Sequence, residues 1–245
     1  RYRRLFQLTS AVIVKNQRMC SRLSTLGAQP AQLLISPSGA DEQRFQGATP
    51  AAMPPRFLAV GRFVAKKGPM DTLEAFARMQ GLTEQADACS LVMVGDGPLL
   101  PFVKERARQL GLEQMVQFPG VLSPEAVAQE MRRARVFVQH SRTAEDGDEE
   151  GCPVSVMEAQ LCGLPVVATR HGGIPDVVVD QQTGRLVEEG DRLAMAEAMA
   201  LLVDRPDLAA AWGAAGHRRA QAQFTVAHHV DQITMLLNGL VGRRR

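Results

Sequence analysis

Aromatic side chains are scarce in this 245-residue chain: they make up 4%, with one Trp and one Tyr. A surface that stacks bases or sugar rings on aromatic faces is therefore not expected, which sets aside a lectin or a single-strand binder and leaves no nucleic acid among the expected partners. The four cysteines (Cys20, Cys89, Cys152 and Cys162) show neither paired metal-ligand spacing nor the density of a disulfide scaffold. They read as small buried apolar groups in a reducing compartment. No segment approaches the ~18 uninterrupted apolar residues of a membrane span. An excess of one charge is missing too: 28 basic and 26 acidic residues leave a net charge of +2. With 45% apolar and 22% charged residues the chain can bury a proper core, so disorder is excluded and a soluble globular protein is expected. Arg1-Tyr2-Arg3-Arg4 carries neither an initiator Met nor a signal-peptide pattern, and we expect a piece of a longer protein.

What charge there is lies unevenly. Residues 1–45 carry a net +5 and Arg243-Arg244-Arg245 a further +3, which leaves the middle acidic. From Arg56 onward, short β-rich runs alternate with helical patterns, the signature of βα units and a parallel sheet. Strands are expected at Arg56–Val60, Ser90–Val94, Val116–Phe118, Val136–Gln139, Pro165–Ala168 and Gly184–Val187. Helices are expected near Met70–Met79, Leu99–Leu110, Pro124–Arg132, Val154–Cys162, Arg192–Val203, Asp207–Gln223 and Val226–Leu240. This spacing makes an α/β fold, a Rossmann-like doubly wound parallel sheet, whose ligands bind at the C-terminal ends of the strands. Residues 1–45 read differently, as a helix with Lys15, Arg18 and Arg22 on one face followed by a strand at Gln32–Ile35. Residues 46–55, rich in Pro and small residues, read as a linker between the tail of a preceding domain and a unit spanning 56–225, with a last helix over 226–245.

The loops after the strands carry the chemistry. Gly61-Arg62-Phe63-Val64-Ala65-Lys66-Lys67-Gly68 holds two of the chain's four lysines and opens onto a helix with Pro69 in its first turn and Asp71 as the expected cap. Arg62 and Lys67 at a sheet edge could set two cations against a diphosphate with no metal; the plain alternative is a solvated basic loop. Gly95-Asp96-Gly97-Pro98 permits a tight turn and, with no third glycine, is too weak to mark a nicotinamide-type Rossmann enzyme. Phe118-Pro119-Gly120-Val121-Leu122 offers backbone that could face a base. His171-Gly172-Gly173 pairs glycines for close approach of a ligand, and His140 and His171 are candidate proton donors.

The most informative stretch runs from Glu145 to Glu158. Glu150 falls on the loop before a helix and Glu158 inside it, eight residues on. Between them, the helix N-terminus at Cys152, Pro153, Val154 and Ser155 offers an anion site for a pyrophosphate. Glu158 could accept the two hydroxyls of a ribose, and Glu150 could meet a sugar beyond the phosphates. The plain alternatives are a solvated acidic loop for Glu150 and a favourable helix-terminal charge for Glu158. A calcium loop lacks the required Asp/Asn alternation.

Taken in register, Gly61-Arg62 with Lys67-Gly68, Gly95-Asp96-Gly97-Pro98, Phe118-Pro119-Gly120, Glu150-x7-Glu158 and Gly163-Leu164-Pro165 with Gly172-Gly173 resemble the retaining family 4 glycosyltransferases of GT-B fold across residues 56–190. The acidic Asp146-Gly147-Asp148 insert resembles the bacterial exopolysaccharide and colanic-acid type. The resemblance implies a UDP- or GDP-sugar donor in a cleft between two Rossmann-like domains and an acceptor that is a saccharide or a lipid-linked saccharide, with no metal and no other cofactor. It implies Arg62 and Lys67 on the diphosphate, Glu158 on the ribose, the base beside Gly95, Gly120, Val121 and Leu122, and Glu150 as the catalytic carboxylate near the anomeric centre. It also implies that residues 1–45 end an N-terminal acceptor domain, most of it missing here, so that donor binding is expected and turnover by these 245 residues is not. A cytoplasmic setting is expected, with the basic face available to the inner face of a membrane. A non-catalytic nucleotide-binding module that needs a partner chain is the alternative.

Overall fold

The computed structural model describes residues 2–242; the basic end at Arg243–Arg245 lies outside them. An N-terminal segment comprises α1 (Tyr2–Leu8), β1 (Val12–Val14), α2 (Gln17–Thr25) and β2 (Leu33–Ile35), with β1 and β2 paired in parallel. After it comes a six-stranded sheet of β3 (Arg56–Val60), β4 (Ser90–Val94), β5 (Val116–Gly120), β6 (Val136–Gln139), β7 (Val166–Thr169) and β8 (Gly184–Val187). Its order is β5-β4-β3-β6-β7-β8, with every neighbouring pair parallel. The α/β expectation is met, and the order is that of a doubly wound nucleotide-binding fold, whose crevice opens where the chain reverses between β3 and β6.

Strands covered on both faces need apolar residues at successive positions, which is why β6 and β7 are buried throughout. Alternate side chains then feed two cores. Phe57, Met93, Val138 and Val167 pack with Leu73 and Phe76 of α3 (Pro69–Met79) and Met195 and Met199 of α8 (Arg192–Asp204). Leu58, Val94, Phe137 and Val166 meet Met131 of α5 (Pro124–Arg133) and Val156, Met157 and Leu161 of α6 (Val154–Cys162) on the other face. The remaining helices are α4 (Leu100–Gln109), the short α7 (Ile174–Val177), α9 (Pro206–Gln223) and α10 (Val226–Gly242).

Three local expectations are corrected. β5 runs two residues past Phe118, through Pro119, because it lies at the sheet edge, where a residue without an N–H costs no ladder bond. Asp71 does not cap α3: Gly68 takes that position with φ +51°, and Asp71 is buried in the first turn against Arg192 and Arg142. Lys15 precedes α2, whose cap is Asn16, and Arg18 pairs with Glu149 at 2.8 Å, so Lys15, Arg18 and Arg22 do not form one helical face.

The segment after β2 meets the start of α10. Ala40 N–H donates to Phe224 O at 2.8 Å, Val226 N–H donates to Ala40 O at 3.0 Å, and Ser36 Oγ lies 2.7 Å from His229 Nδ1. The N-terminal segment is thereby clamped to the start of α10. Among the described residues no helix is long and apolar enough to cross a membrane.

Candidate functional site

Strand β3 delivers the cationic loop and β6 the acidic one, so the two flank the reversal point of the sheet. Lys67 Nζ sits 2.9 Å from Glu150 Oε2, and Lys66 Nζ sits 3.0 Å from Asp148 and 3.9 Å from Glu150. Glu150 is only 8% exposed, whereas Glu145, Asp146 and Asp148 stand in solvent. It is thus no member of a freely solvated acidic run. The residue assigned to phosphate and the residue assigned to sugar are paired with each other in the free protein.

Arg62 and Lys67 line one small cleft of about 30 Å³ together with Gly61, Thr72 and Gln139. Gln139, the polar end of the otherwise apolar β6, was not singled out from the sequence. Its amide donates to Ser141 Oγ at 2.7 Å and accepts from Ser155 Oγ at 3.1 Å, which ties the cleft to the first turn of α6. Pro153 takes the N-cap position of α6 and has no N–H to offer, so the donors at that open end belong to the residues around it, Val154 and Ser155 in the first turn. Cys152 contributes no thiolate: burial pushes its thiol up to about 12, with Asp176 adding to the effect. Of the four free cysteines, Cys89 and Cys162 are buried as expected, whereas Cys20 and Cys152 are only partly so.

A second cleft adjoins the first. Arg62 lines it with Gly95, Val121 and Leu122, which the sequence had put beside a base, and with Asp96, Gly97 and Val127. Gly120 supports its floor, accepting a hydrogen bond from Gly95 N–H at 2.8 Å. Gly95 has φ +134°, and a Cβ there would fall 2.0 Å from Gly61 O; only glycine lets the β3 and β4 loops touch.

Glu158 projects from the second turn of α6. Burial pushes its carboxyl up to about 7, with Arg44 opposing the shift. Arg44 itself pairs with Asp41 and Glu125, so among the described residues Glu158 has no salt-bridge partner and is suited to accept neutral hydroxyl donors.

The remaining loop expectations change. The space beside Gly172 and Gly173 is filled by protein and not by a ligand: Cβ atoms there would fall 2.0 Å from Glu150 O and 2.2 Å from Gly151 O. Both histidines are withdrawn from solvent, although among the described residues His140 Nδ1 has no hydrogen-bond partner. His171 is fully buried, accepts from Glu150 N–H at Nε2 (3.0 Å), and has Nδ1 2.6 Å from Glu189 Oε1. His140, equally buried, accepts from Gly190 N–H at 2.8 Å, and burial holds its pKa below the usual imidazole range. Among the described residues no group of three or more His, Cys, Asp or Glu is placed to hold a metal ion.

The chain belongs to the family described as Glycosyl transferases group 1, whose match spans residues 40–219. It is similar to a Salmonella typhimurium protein named as a colanic acid biosynthesis glycosyltransferase, WcaL, with 33% identity over 81% of this chain and 49% of that protein. It is also 32% identical, over 91% of this chain and 60% of the relative, to a GDP-mannose-dependent alpha-(1-6)-phosphatidylinositol monomannoside mannosyltransferase of Mycobacterium tuberculosis. The chain therefore spans about half the length of the first of these relatives. A crystal structure of Anabaena HepE in complex with UDP superposes with a TM-score of 0.81 at 22% identity, covering 94% of this chain and 64% of that one. That likeness establishes the fold as the one shared by the GT-B glycosyltransferases.

Proposed function

We propose that this chain is the donor-binding part of a retaining family 4 glycosyltransferase, moving a sugar from a UDP- or GDP-sugar to a saccharide or lipid-linked acceptor. The observation that carries the reading is the convergence of Arg62, Lys67 and the open end of α6 at the reversal point of the sheet, with Glu150 against Lys67. In this reading the two cations and the N–H groups of Val154 and Ser155 take the charge that gathers on the departing diphosphate. No metal or other cofactor enters. Glu158 holds the ribose, the base lies beside Gly95, Gly120, Val121 and Leu122, and Glu150 faces the sugar near its anomeric carbon.

Residues 1–45 in this reading close an N-terminal acceptor domain, 46–55 link it to the donor unit over 56–225, and 226–245 cross back. The clamp between Ser36–Ala40 and Thr225–His229 supports that division. WcaL is named for colanic acid biosynthesis, which supports a polysaccharide-building role; a setting at the cytoplasmic side of a membrane is part of the same proposal. A thermal-shift panel of UDP, GDP, ADP and their sugars tests the reading: one base should stand out, since ligand at 100 times its Kd adds ~2.7 kcal/mol. Nucleotides that leave the melting temperature unchanged would overturn it. Sugar transfer by this chain alone is expected to stay at the blank, because the chain spans about half the length of a relative named as a glycosyltransferase; turnover above the blank would assign transfer to these residues.

A further inference from the structure

Glu189, in the loop after β8, holds both ends of the acidic loop that carries Glu150. Its carboxylate accepts from Thr143 N–H at 2.8 Å and lies 2.6 Å from His171 Nδ1, while His171 Nε2 accepts from Glu150 N–H at 3.0 Å. A backbone N–H can only donate, so Nε2 must be bare and the ring proton must sit on Nδ1, where Glu189 takes it. Burial works against a charged Glu189, yet the bonds from Thr143 and His171 prevail and hold its carboxyl below the usual range. The Glu189 loop is itself pinned by Gly190 N–H donating to His140 Nε2. On its other side the Glu150 peptide has no slack, since its carbonyl oxygen rests where a Cβ of Gly172 would be.

We infer that Glu189 and His171 form a positioning pair that sets the Glu150 peptide, and through it the point at which the Glu150 carboxylate meets the donor sugar. The second half of this statement rests on the donor-site reading above; the first half does not. Glu189 needs both of its oxygens as acceptors, and His171 needs one ring nitrogen of each kind. The pair acts by hydrogen-bond polarity, fixing one tautomer so that a bare nitrogen always faces the Glu150 amide.

Nitrogen-15 NMR of this chain reads the positioning directly, through the His171 tautomer and the hydrogen-exchange rate of the Glu150 amide. The native protein should show the Nδ1–H form and a protected amide. Glu189→Ala should release the ring to the other tautomer and speed Glu150 exchange about tenfold or more. His171→Asn keeps a donor for Glu189 but cannot reach Glu150, and should do the same to the amide. His171→Gln restores an acceptor near the Nε2 position and should restore protection, which a merely structural role of the ring would not do. Calorimetry with UDP, GDP and their sugars reads the consequence. In Glu189→Ala and His171→Asn the affinity added by the sugar should fall about tenfold, with bare diphosphate affinity held and His171→Gln near native. Unchanged Glu150 exchange in both disabling variants overturns the positioning, whatever ligand binds. Altered exchange with an intact sugar contribution, where Glu150→Ala removes it, overturns the functional half. If Glu150→Ala itself leaves the sugar contribution untouched, the donor-site reading falls, and the functional half with it, while the exchange data still decide the positioning.

Discussion

Lys67 Nζ and Glu150 Oε2 lie 2.9 Å apart with both side chains largely withdrawn from water. If Lys67 takes the donor diphosphate as proposed, the Glu150 carboxylate already occupies that cation, and donor binding would exchange one anion for another. Glu150→Gln should therefore tighten bare UDP or GDP by roughly fivefold, about 1 kcal/mol, while abolishing the affinity added by the sugar. The same change leaves Lys67 unpaired and mostly buried, so the melting temperature of the free protein should fall. Calorimetry and thermal unfolding check both halves. Equal losses for nucleotide and nucleotide-sugar would mean that Glu150 serves the loop and not the sugar.

Glu158 supplies a pH signature. Its carboxyl is pushed up to about 7 by burial, above its unfolded value of 4.5. A raised folded pKa means that the native state binds the proton more tightly than the unfolded chain does. The stabilisation is complete below 4.5 and lost as pH rises through 7, a difference on the order of 3 kcal/mol. Glu158→Gln should cancel this component, so that denaturant curves at pH 5 and pH 8 differ less in the variant than in the native protein. A ribose diol donates to the charged form, so nucleotide affinity should climb as pH rises through 7 in the native protein and stay flatter in the variant. Parallel pH curves for the two proteins would remove Glu158 from the ribose.

The same pair shows how far the sequence could be read. The sheet was legible because strands covered on both faces must be apolar throughout, and Val136–Gln139 and Gly184–Val187 stand where expected. Glu150 and Glu158 stood out because a helix start between them is visible in the residues themselves. What was hidden is contact between loops distant in sequence. Nothing local says that His171 turns inward to Glu189, that Gly172 makes room for Glu150, or that Gln139 bonds Ser155. Gln139 alone left a trace, as a polar residue closing an apolar strand at the end where ligands bind.

Phosphate binding without a metal is the third expectation. Arg62 and Lys67 line one cleft, and the first turn of α6 is tied to it where Ser155 Oγ donates to Gln139 Oε1 at 3.1 Å. Two cations and a helix end offset a diphosphate's charge without a bridging divalent ion. Affinity for UDP or GDP should be the same in EDTA as in magnesium, within a factor of about two. A large loss in EDTA would transfer the phosphates to a metal and demote Arg62 and Lys67. Lys67→Met should weaken both nucleotide and nucleotide-sugar by ~1.5–3 kcal/mol, as for other hydrogen bonds to charged groups.

Asn16 links the N-terminal segment to the Glu150 loop. Its Oδ1 caps α2 by accepting from Met19 N–H at 2.7 Å, its Nδ2 donates to Gly151 O, and it is 2% exposed. The two roles separate by substitution. Asp caps a helix as well as Asn does, so if the cap were all that mattered Asn16→Asp would be silent. It should instead destabilise by ~1–3 kcal/mol, because a carboxylate oxygen then faces the Gly151 carbonyl and leaves it without a donor. Asn16→Ala loses the cap as well as the link, adding a cost of about 1 kcal/mol for the cap itself. Gly151 follows Glu150 directly, so Asn16→Asp should also reduce the affinity added by a donor sugar more than that of the bare diphosphate. Denaturant unfolding and the same calorimetric pairs measure these effects. An Asn16→Asp protein as stable as the native one would reduce Asn16 to a helix cap and uncouple the N-terminal segment from the site.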